Sequence, residues 1–412
     1  MCEYAGVGPL LYCRQSILHR PTDLGVGLAW PRGADMEVVI SNISIFVLCV
    51  ALIVVLRRAS VALALVDLPD ARKQHIGAVP LCGGIAIFTT FAVVNFLSGH
   101  MHAFGLNFWV GLFVVVAVGT LDDRHPLPAS LRLIMQFLVA AILIGGLNIG
   151  QISSAEFAPG VAASAGALIV VVGLCFIAGL MNSWNMIDGV DGLAGGAAVV
   201  ALIWLMLVAE VKDMGELILP FELLLTGLCG FLIFNMRSPW RTRASIFLGD
   251  AGSMALGATI AYGILLLASD KSPAPFMALL WIVIIPVTDT LSLMIRRVLA
   301  GRSPMSADRW HLHHLLLDAG YTPMATTNII MVASAVCGGI GYLGIRTDVP
   351  EIVMMAGLVI PVGIHTLFVT IASRSIARLR TALSKSRASV GDATAGDKPQ
   401  AVIMPRKTNV KI

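Results

Sequence analysis

The chain carries little charge for its length. Of its 412 residues, 28 are Lys or Arg and 24 are Asp or Glu, so charged residues make up 13% of the sequence, about half the share in a typical soluble domain. The net charge of +4 is too small for a surface that binds a phosphate backbone. Its seven cysteines include no C-x-x-C pair. This scarcity excludes a soluble enzyme and a disordered chain, and predicts no nucleic-acid partner.

Apolar residues predominate instead. They make up 57% of the chain, and the mean hydropathy is +0.87. The apolar runs do not alternate with polar residues, so a β-barrel is excluded. Runs of roughly 20 apolar residues predict membrane-spanning helices. Eleven such runs predict an all-α polytopic membrane protein: 36–56, 79–97, 106–121, 131–149, 161–181, 190–209, 219–235, 251–268, 276–295, 324–345 and 351–371.

Basic residues are distributed unequally between the two sets of loops. One set holds thirteen Lys and Arg, the opposite set holds three, and the segment after the last run holds nine more. Because cytoplasmic loops carry an excess of Lys and Arg, we predict an external N-terminus and a cytoplasmic C-terminus. The chain then divides into an N-terminal extension (1–35), which is either exported or an over-long start, a transmembrane domain (36–371) and a disordered basic tail (372–412).

Polar clusters lie at the predicted cytoplasmic ends of the spans. The strongest runs from Asn182 to Gly196 and places Asn182, Asn185, Asp188 and Asp191 at intervals of three residues. Such a stripe is too costly in contact with lipid, so it must line a cavity or bind an ion. Two more clusters are the adjacent pair Asp122-Asp123 and the sequence Gly249-Asp-Ala-Gly-Ser253.

Two loops on the same side combine basic residues with potential phosphate contacts. The first contains Arg72 and Lys73, and we predict that it binds an anion. The second follows span nine and contains Arg297, Arg309, His311, His313 and His314. Its histidines have the ligand type for zinc but lack a thiolate, and the flanking arginines favour an anion instead.

These groups together favour phosphoryl transfer. Carboxylate oxygens are suitable ligands for Mg²⁺, which usually takes one or two protein carboxylates and completes its shell with substrate phosphates. The sequence has neither a Walker A motif nor a kinase Gly-rich loop. A donor that already carries a pyrophosphate and an acceptor held in lipid would fit.

In these motifs, in this order, the chain resembles the polyprenyl-phosphate N-acetylhexosamine-1-phosphate transferases. It most resembles the bacterial branch that transfers N-acetylglucosamine 1-phosphate from UDP-N-acetylglucosamine to undecaprenyl phosphate, releasing UMP and starting a cell-surface polysaccharide. The resemblance implies eleven helices in the bacterial inner membrane, a cytoplasmic active site, and Mg²⁺, with Mn²⁺ as an alternative. It leaves a homodimer open.

The resemblance also implies roles for individual residues. Asp250 and Asn185 would bind the metal, and Asp122 would contact the lipid phosphate. Asp123, Asp188 and Asp191 would organise the metal and the nucleotide, and the basic residues of the second loop would face the nucleotide-sugar.

Two points about the carboxylate pair stay open. We favour positioning over base catalysis for Asp122, because a phosphate monoester is largely dianionic at about pH 7. Where related enzymes often carry a Lys after the Asp pair, this chain has Arg124 and Arg132, so either arginine is a candidate for that contact.

Three alternative functions also remain. Another UDP-N-acetylhexosamine is a possible donor. Phospho-N-acetylmuramoyl-pentapeptide transfer is less consistent with the order His-Leu-His-His. An ion-coupled transporter would place its polar groups near mid-span and show inverted repeats.

Overall fold

The computed structural model describes residues 33–68, 77–147, 162–269, 273–303 and 310–375. The predicted N-terminal extension and basic tail lie almost wholly outside these residues. So do Arg72, Lys73 and Arg309.

Most of the described chain is helical. The helices are α1 Gly33–Ala59, α2 Gly83–Leu97, α3 Gly105–Arg124, α4 Ala129–Ile144, α5 Ala162–Ile187, α6 Leu193–Val211, α7 Ile218–Asn235, α8 Gly249–Ser269, α9 Phe276–Leu279, α10 Ile284–Leu299, α11 Leu312–Asp318, α12 Pro323–Arg346 and α13 Glu351–Gly357. Further helical residues extend α13, so that the apolar segment as a whole is Glu351–Ser375.

The helices reproduce the predicted apolar runs. Among the described residues, eight helices are long and apolar enough to cross a membrane. A ninth candidate is the pair α9 and α10, which bends by 84° at the break between them. The shorter apolar helices α2 and α4 match the two remaining runs. The fold is therefore that of a polytopic helical membrane protein.

A small β-ladder departs from the all-α prediction. Strands β1 (Val66–Asp67) and β2 (Val79–Pro80) pair antiparallel. The chain after β2 also pairs with the segment before α8, where Phe247 donates to the carbonyl of Pro80 and Gly83 donates to the carbonyl of Phe247. These bonds satisfy backbone groups outside the helices. They fix both described ends of the loop that contains residues 69–76 close to the start of α8.

Helix α8 lies at the centre of the bundle. Of its most apolar 18-residue stretch, 94% is buried, and it packs against α2, α3 and α5. Its many Gly and Ser residues allow close helix approach. A Cβ on Gly252, for example, would lie 2.7 Å from the Cα of Gly84. A helix enclosed on all sides holds its N-terminus, and the residues there, in a fixed position.

Candidate active site

Asp122 lies at the end of α3 and is 4% exposed. Its carboxylate accepts a hydrogen bond from the N–H of Leu127 at 2.8 Å and forms a 3.0 Å ion pair with Arg132 Nε. A second guanidinium nitrogen of Arg132 lies 3.7 Å from Asp250 Oδ2. Arg132, from the first turn of α4, therefore links two carboxylates that lie far apart in the sequence. Of the two arginines considered for the lipid-phosphate contact, Arg132 is the one at the carboxylates, whereas Arg124 is exposed.

Asp123 caps the central helix. Its two oxygens accept hydrogen bonds from the N–H groups of Asp250, at 2.8 Å, and Ala251, at 3.2 Å. These donors belong to the first turn of α8, where N–H groups lack a partner within the helix. Gly249 has a φ of +76°, and a Cβ there would lie 2.6 Å from Asp123 Oδ2. Glycine is required at this position both for the backbone conformation and for the approach of Asp123.

The two asparagines of the predicted stripe have different neighbours. Asn185 Nδ2 donates to Asp250 Oδ1 at 2.6 Å and to Ser253 Oγ at 3.1 Å. Asn182, about one turn deeper, donates to Gln136 Oε1 at 2.6 Å across the contact between α4 and α5. The structure thus places Asn185 in the carboxylate cluster and Asn182 in a helix–helix contact beneath it.

Asp188 and Asp191 follow in the turn between α5 and α6. Asp191 forms a 2.7 Å ion pair with Arg237 and accepts the N–H of Ala244 at 3.1 Å, which ties this turn to the segment before α8. Asp188 receives no hydrogen bond within the described part of the chain. Burial, together with the charges of Asp250, Asp123 and Asp191, raises the pKa of Asp188 to about 8. The cluster is therefore short of positive charge.

This shortage of positive charge fits a divalent cation. Among the described residues, no three His, Cys, Asp or Glu side chains are grouped to hold a metal by themselves, but Mg²⁺ commonly needs only one or two protein carboxylates. Asp188 and Asp250 have the required oxygens. Asn185 turns its amide nitrogen toward Asp250, so only its oxygen, turned the other way, could serve as a ligand.

The histidines of the second loop form a compact group. The rings of His311 and His313 stack at 5.4 Å with 8° between their planes, and His313 and His314 are 4.2 Å apart. His313 is 1% exposed. A Cβ on Gly189 would lie 2.5 Å from His313 Nε2, so the histidine loop directly contacts the Asn-x-x-Asn-x-x-Asp-Gly motif. Arg297 is buried in the last turn of α10.

Two further residues lie next to this group, and sequence reasoning missed one of them, His365. Asp289 on α10 and His365 in the apolar segment Glu351–Ser375 are 2% and 5% exposed, and both are hydrogen-bonded within the His311 cluster. A sequence signal existed for His365, which is the one ionisable side chain between Glu351 and Arg374 in an apolar run. Ionisable residues in such segments usually have a function.

The chain is similar to known bacterial enzymes over most of its length. The sequence profile described as "Glycosyl transferase family 4" matches residues 106–268. An undecaprenyl-phosphate alpha-N-acetylglucosaminyl 1-phosphate transferase of Yersinia pestis is 33% identical over 319 residues, which cover 76% of this chain and 86% of that protein. The proteins of the same name from Salmonella typhi and Escherichia coli K12 are 31% and 30% identical, with the same two shares covered.

The alignment with the relatives is longer than the profile match, so it begins before residue 106 and continues beyond residue 268. The profile includes the Asp pair, the Asn-x-x-Asn-x-x-Asp-Gly motif and the start of α8. The relatives align over about three quarters of the chain. The resemblance inferred from the motifs is therefore confirmed, and the chain belongs to the polyprenyl-phosphate N-acetylhexosamine-1-phosphate transferases of glycosyl transferase family 4.

Proposed function

We propose that the protein transfers N-acetylglucosamine 1-phosphate from UDP-N-acetylglucosamine to undecaprenyl phosphate. The observation that carries the proposal is a cluster at one end of the helical bundle, in a chain whose relatives are named for this reaction. The cluster joins the histidine loop and Arg132 to four carboxylates, those of Asp122, Asp123, Asp188 and Asp250. The product, undecaprenyl diphospho-N-acetylglucosamine, would start a cell-surface polysaccharide.

The reaction is a displacement at phosphorus. An oxygen of undecaprenyl phosphate attacks the β-phosphorus of UDP-N-acetylglucosamine, and the bond from that phosphorus to the bridging oxygen breaks. UMP leaves with the bridging oxygen and its electron pair. Such a transfer depends mainly on positioning and on stabilising charge.

Asp122 acts by position rather than as a base. One of its oxygens accepts the Leu127 N–H and the other forms the 3.0 Å ion pair with Arg132, so both oxygens are already engaged by groups of the protein. The acceptor phosphate, with a second pKa near 6, needs little deprotonation at about pH 7. Arg132 supplies a guanidinium that can exchange a carboxylate oxygen for a phosphate oxygen.

A divalent cation completes the site. Mg²⁺, with Mn²⁺ as the alternative, would be held by Asp188 and Asp250, and it would neutralise the pyrophosphate of the donor. Asn185 keeps Asp250 oriented through its 2.6 Å hydrogen bond. Asp123 fixes the backbone of Asp250 through the cap on α8.

The orientation in the membrane follows from charge. The carboxylate cluster lies at the ends of helices whose flanking loops carry the excess of Lys and Arg, which favours a cytoplasmic site in the bacterial inner membrane. Eight helices are long enough to cross a membrane and the bent pair is a ninth candidate; if the short apolar helices α2 and α4 also cross it, the chain has the eleven spans predicted from the sequence, with an external N-terminus and a cytoplasmic C-terminus. Lys73 and Arg72 would meet the lipid phosphate, because the described ends of their loop are fixed near α8.

Transfer of radiolabelled sugar phosphate tests the proposal. Purified protein in lipid nanodiscs is given undecaprenyl phosphate and a panel of UDP-sugars. We expect a chloroform-soluble product and UMP from UDP-N-acetylglucosamine. Equal or better transfer from UDP-N-acetylgalactosamine would change the assigned sugar, and no transfer from any UDP-sugar would overturn the proposal.

A matched pair of substitutions tests the assignment of the loop. We expect His311→Ala and His314→Ala to raise the KM for the UDP-sugar or to lower kcat, and to leave the KM for undecaprenyl phosphate unchanged, because the nucleotide arrives from water. An effect confined to the lipid substrate would contradict this assignment.

A further inference from the structure

The carboxylate of Asp289 connects three separate parts of the protein. Its Oδ1 accepts the N–H of Leu312 at 2.8 Å and lies 3.2 Å from His365 Nε2, and its Oδ2 lies 3.2 Å from His311 Nδ1. Helix α10, the histidine loop and the last helix therefore meet at one buried carboxylate. No part of the mechanism above uses Asp289 or His365.

The geometry determines which nitrogen of each ring carries hydrogen. An ionised carboxylate only accepts hydrogen bonds, so His311 must donate through Nδ1 and His365 through Nε2. Nδ1 of His365 has no partner within the described part of the chain. Among the described residues, the bond from Nε2 to Asp289 is therefore the one hydrogen bond that this ring makes.

This arrangement leaves one ring nitrogen of His311, Nε2, available to a ligand. With Nδ1 held by Asp289, the neutral ring has Nε2 as a bare acceptor, and Nε2 has no partner among the described residues. A neutral imidazole in the opposite tautomer would present a donor instead. The network thus decides whether His311 offers an acceptor or a donor to a ligand.

Asp289 also positions the rest of the loop. The N–H of Leu312 that it accepts is the first of α11, and His313 and His314 are in the same turn. His311 stacks on His313, which contacts Gly189 beside the carboxylate cluster. A displacement of Asp289 would therefore move the histidine group relative to Asp188 and Asp250.

We propose that Asp289 and His365 are positioning residues that hold His311 in the Nδ1–H tautomer, with Nε2 presented to the hydroxyl groups of the nucleotide-sugar. His365 acts through Asp289, because its ring bonds the same oxygen that holds α11. The identity of the ligand rests on the proposed function, whereas the tautomer of His311 does not.

Three variants of the full chain test the role of His365. His365→Ala removes the donor to Asp289, and His365→Gln keeps an amide donor at the end of the side chain. Thr366→Ala is the matched control, since its side chain is exposed on the same helix. For each variant, kcat and the KM for both substrates are measured together with the melting midpoint.

We expect His365→Ala to lower kcat/KM for UDP-N-acetylglucosamine by roughly tenfold or more, as for the loss of a hydrogen bond to a charged group. The KM for undecaprenyl phosphate should stay within about twofold of the wild-type value. His365→Gln should recover most of the loss, and Thr366→Ala should match the wild type. Equal losses in the Ala and Gln variants with lowered melting midpoints would show a merely structural role and overturn the proposal, as would wild-type kinetics in His365→Ala.

An NMR measurement is independent of activity. In protein labelled with ¹⁵N-histidine, with the His311 signals assigned by their loss in His311→Ala, we expect the Nδ1–H tautomer in the wild type. We expect a mixture of tautomers in His365→Ala. A His311 in the Nε2–H tautomer would refute the positioning role even if the sugar transfer is observed. If no sugar is transferred, the proposed function fails, and the tautomer still decides the role of Asp289 and His365.

Discussion

Asp123 Oδ1 lies 2.8 Å from the backbone nitrogen of Asp250. The resemblance implied that Asp123 organises the metal and the nucleotide, but its carboxylate caps the N-terminus of the central helix. The negative charge also faces the positive end of the α8 dipole. Asp123 therefore fixes the backbone of Asp250, a residue far away in the sequence.

The first prediction follows from this cap. Asp123→Ala leaves two N–H groups without an acceptor, so we expect it to destabilise the protein by about 1–2 kcal/mol, as for other lost caps, and to lower activity as Asp250 shifts. Asp123→Asn keeps one acceptor oxygen and should melt between the wild type and the Ala variant. Melting midpoints in detergent measure the order of the three, and an unchanged midpoint in Asp123→Ala would contradict the capping role.

The sequence predicted the helices well, because each span is a continuous apolar run and needs no partner to be recognised. It did not predict the 84° bend between α9 and α10. Pro286 is tolerated in the first turn of a helix, so its presence in the run does not distinguish a helix that begins at Ile284 from a kinked span.

The candidate site was predicted only in part, because the sequence shows contacts within one helix but not contacts between helices. Residues close in sequence, such as Asn185 and Asp188, reveal their common face through their spacing. The pairing of Asn182 with Gln136, and that of Asp289 with His365, each join different helices. Such contacts depend on helix packing, which spacing within one helix does not encode.

The second prediction concerns the metal. Asp188 and Asp250 supply no positive charge, so neutralising a pyrophosphate requires a bound cation. We expect excess EDTA to abolish transfer and Mg²⁺ or Mn²⁺ to restore it. Asp250→Asn should lower kcat by orders of magnitude, since the metal stabilises developing charge by several kcal/mol. Full activity in excess chelator, or a folded Asp250→Asn variant at the wild-type rate, would contradict a metal held by this residue.

The third prediction uses the pKa of Asp188, which burial and neighbouring carboxylates raise to about 8 from its ordinary value of 3.8. Between these two pH values the folded protein holds a proton that the unfolded chain has released, so stability falls as pH rises toward 8. Mg²⁺ must displace this proton, so we expect its stabilising effect to grow from pH 6 to pH 8.

Melting with and without Mg²⁺ at pH 6, 7, 8 and 9 measures the effect of Asp188. The control is Asp188→Asn, which cannot titrate and should weaken the dependence of the melting midpoint on pH. A Mg²⁺ effect that is the same at pH 6 and pH 8 would contradict the assignment.

The fourth prediction concerns the contact between the histidine loop and the motif after α5. A Cβ on Gly189 would lie 2.5 Å from Nε2 of His313, and His313 is 1% exposed, so its ring has little room to move. We therefore expect Gly189→Ala to push the histidine group away from the carboxylates. The KM for the UDP-sugar should rise, or kcat should fall, by at least roughly tenfold, because small displacements at a reacting centre are costly.

The matched control for this substitution is Gly179→Ala on α5. No atom lies within 4 Å of a Cβ at Gly179, and alanine favours a helix over glycine by up to about 1 kcal/mol. We expect this variant to keep wild-type kinetics and to melt at the same temperature or higher. If Gly189→Ala also keeps wild-type kinetics while remaining folded, then the distance between His313 and Gly189 does not limit the reaction. The histidine loop would in that case act on the nucleotide-sugar without depending on its contact with the motif.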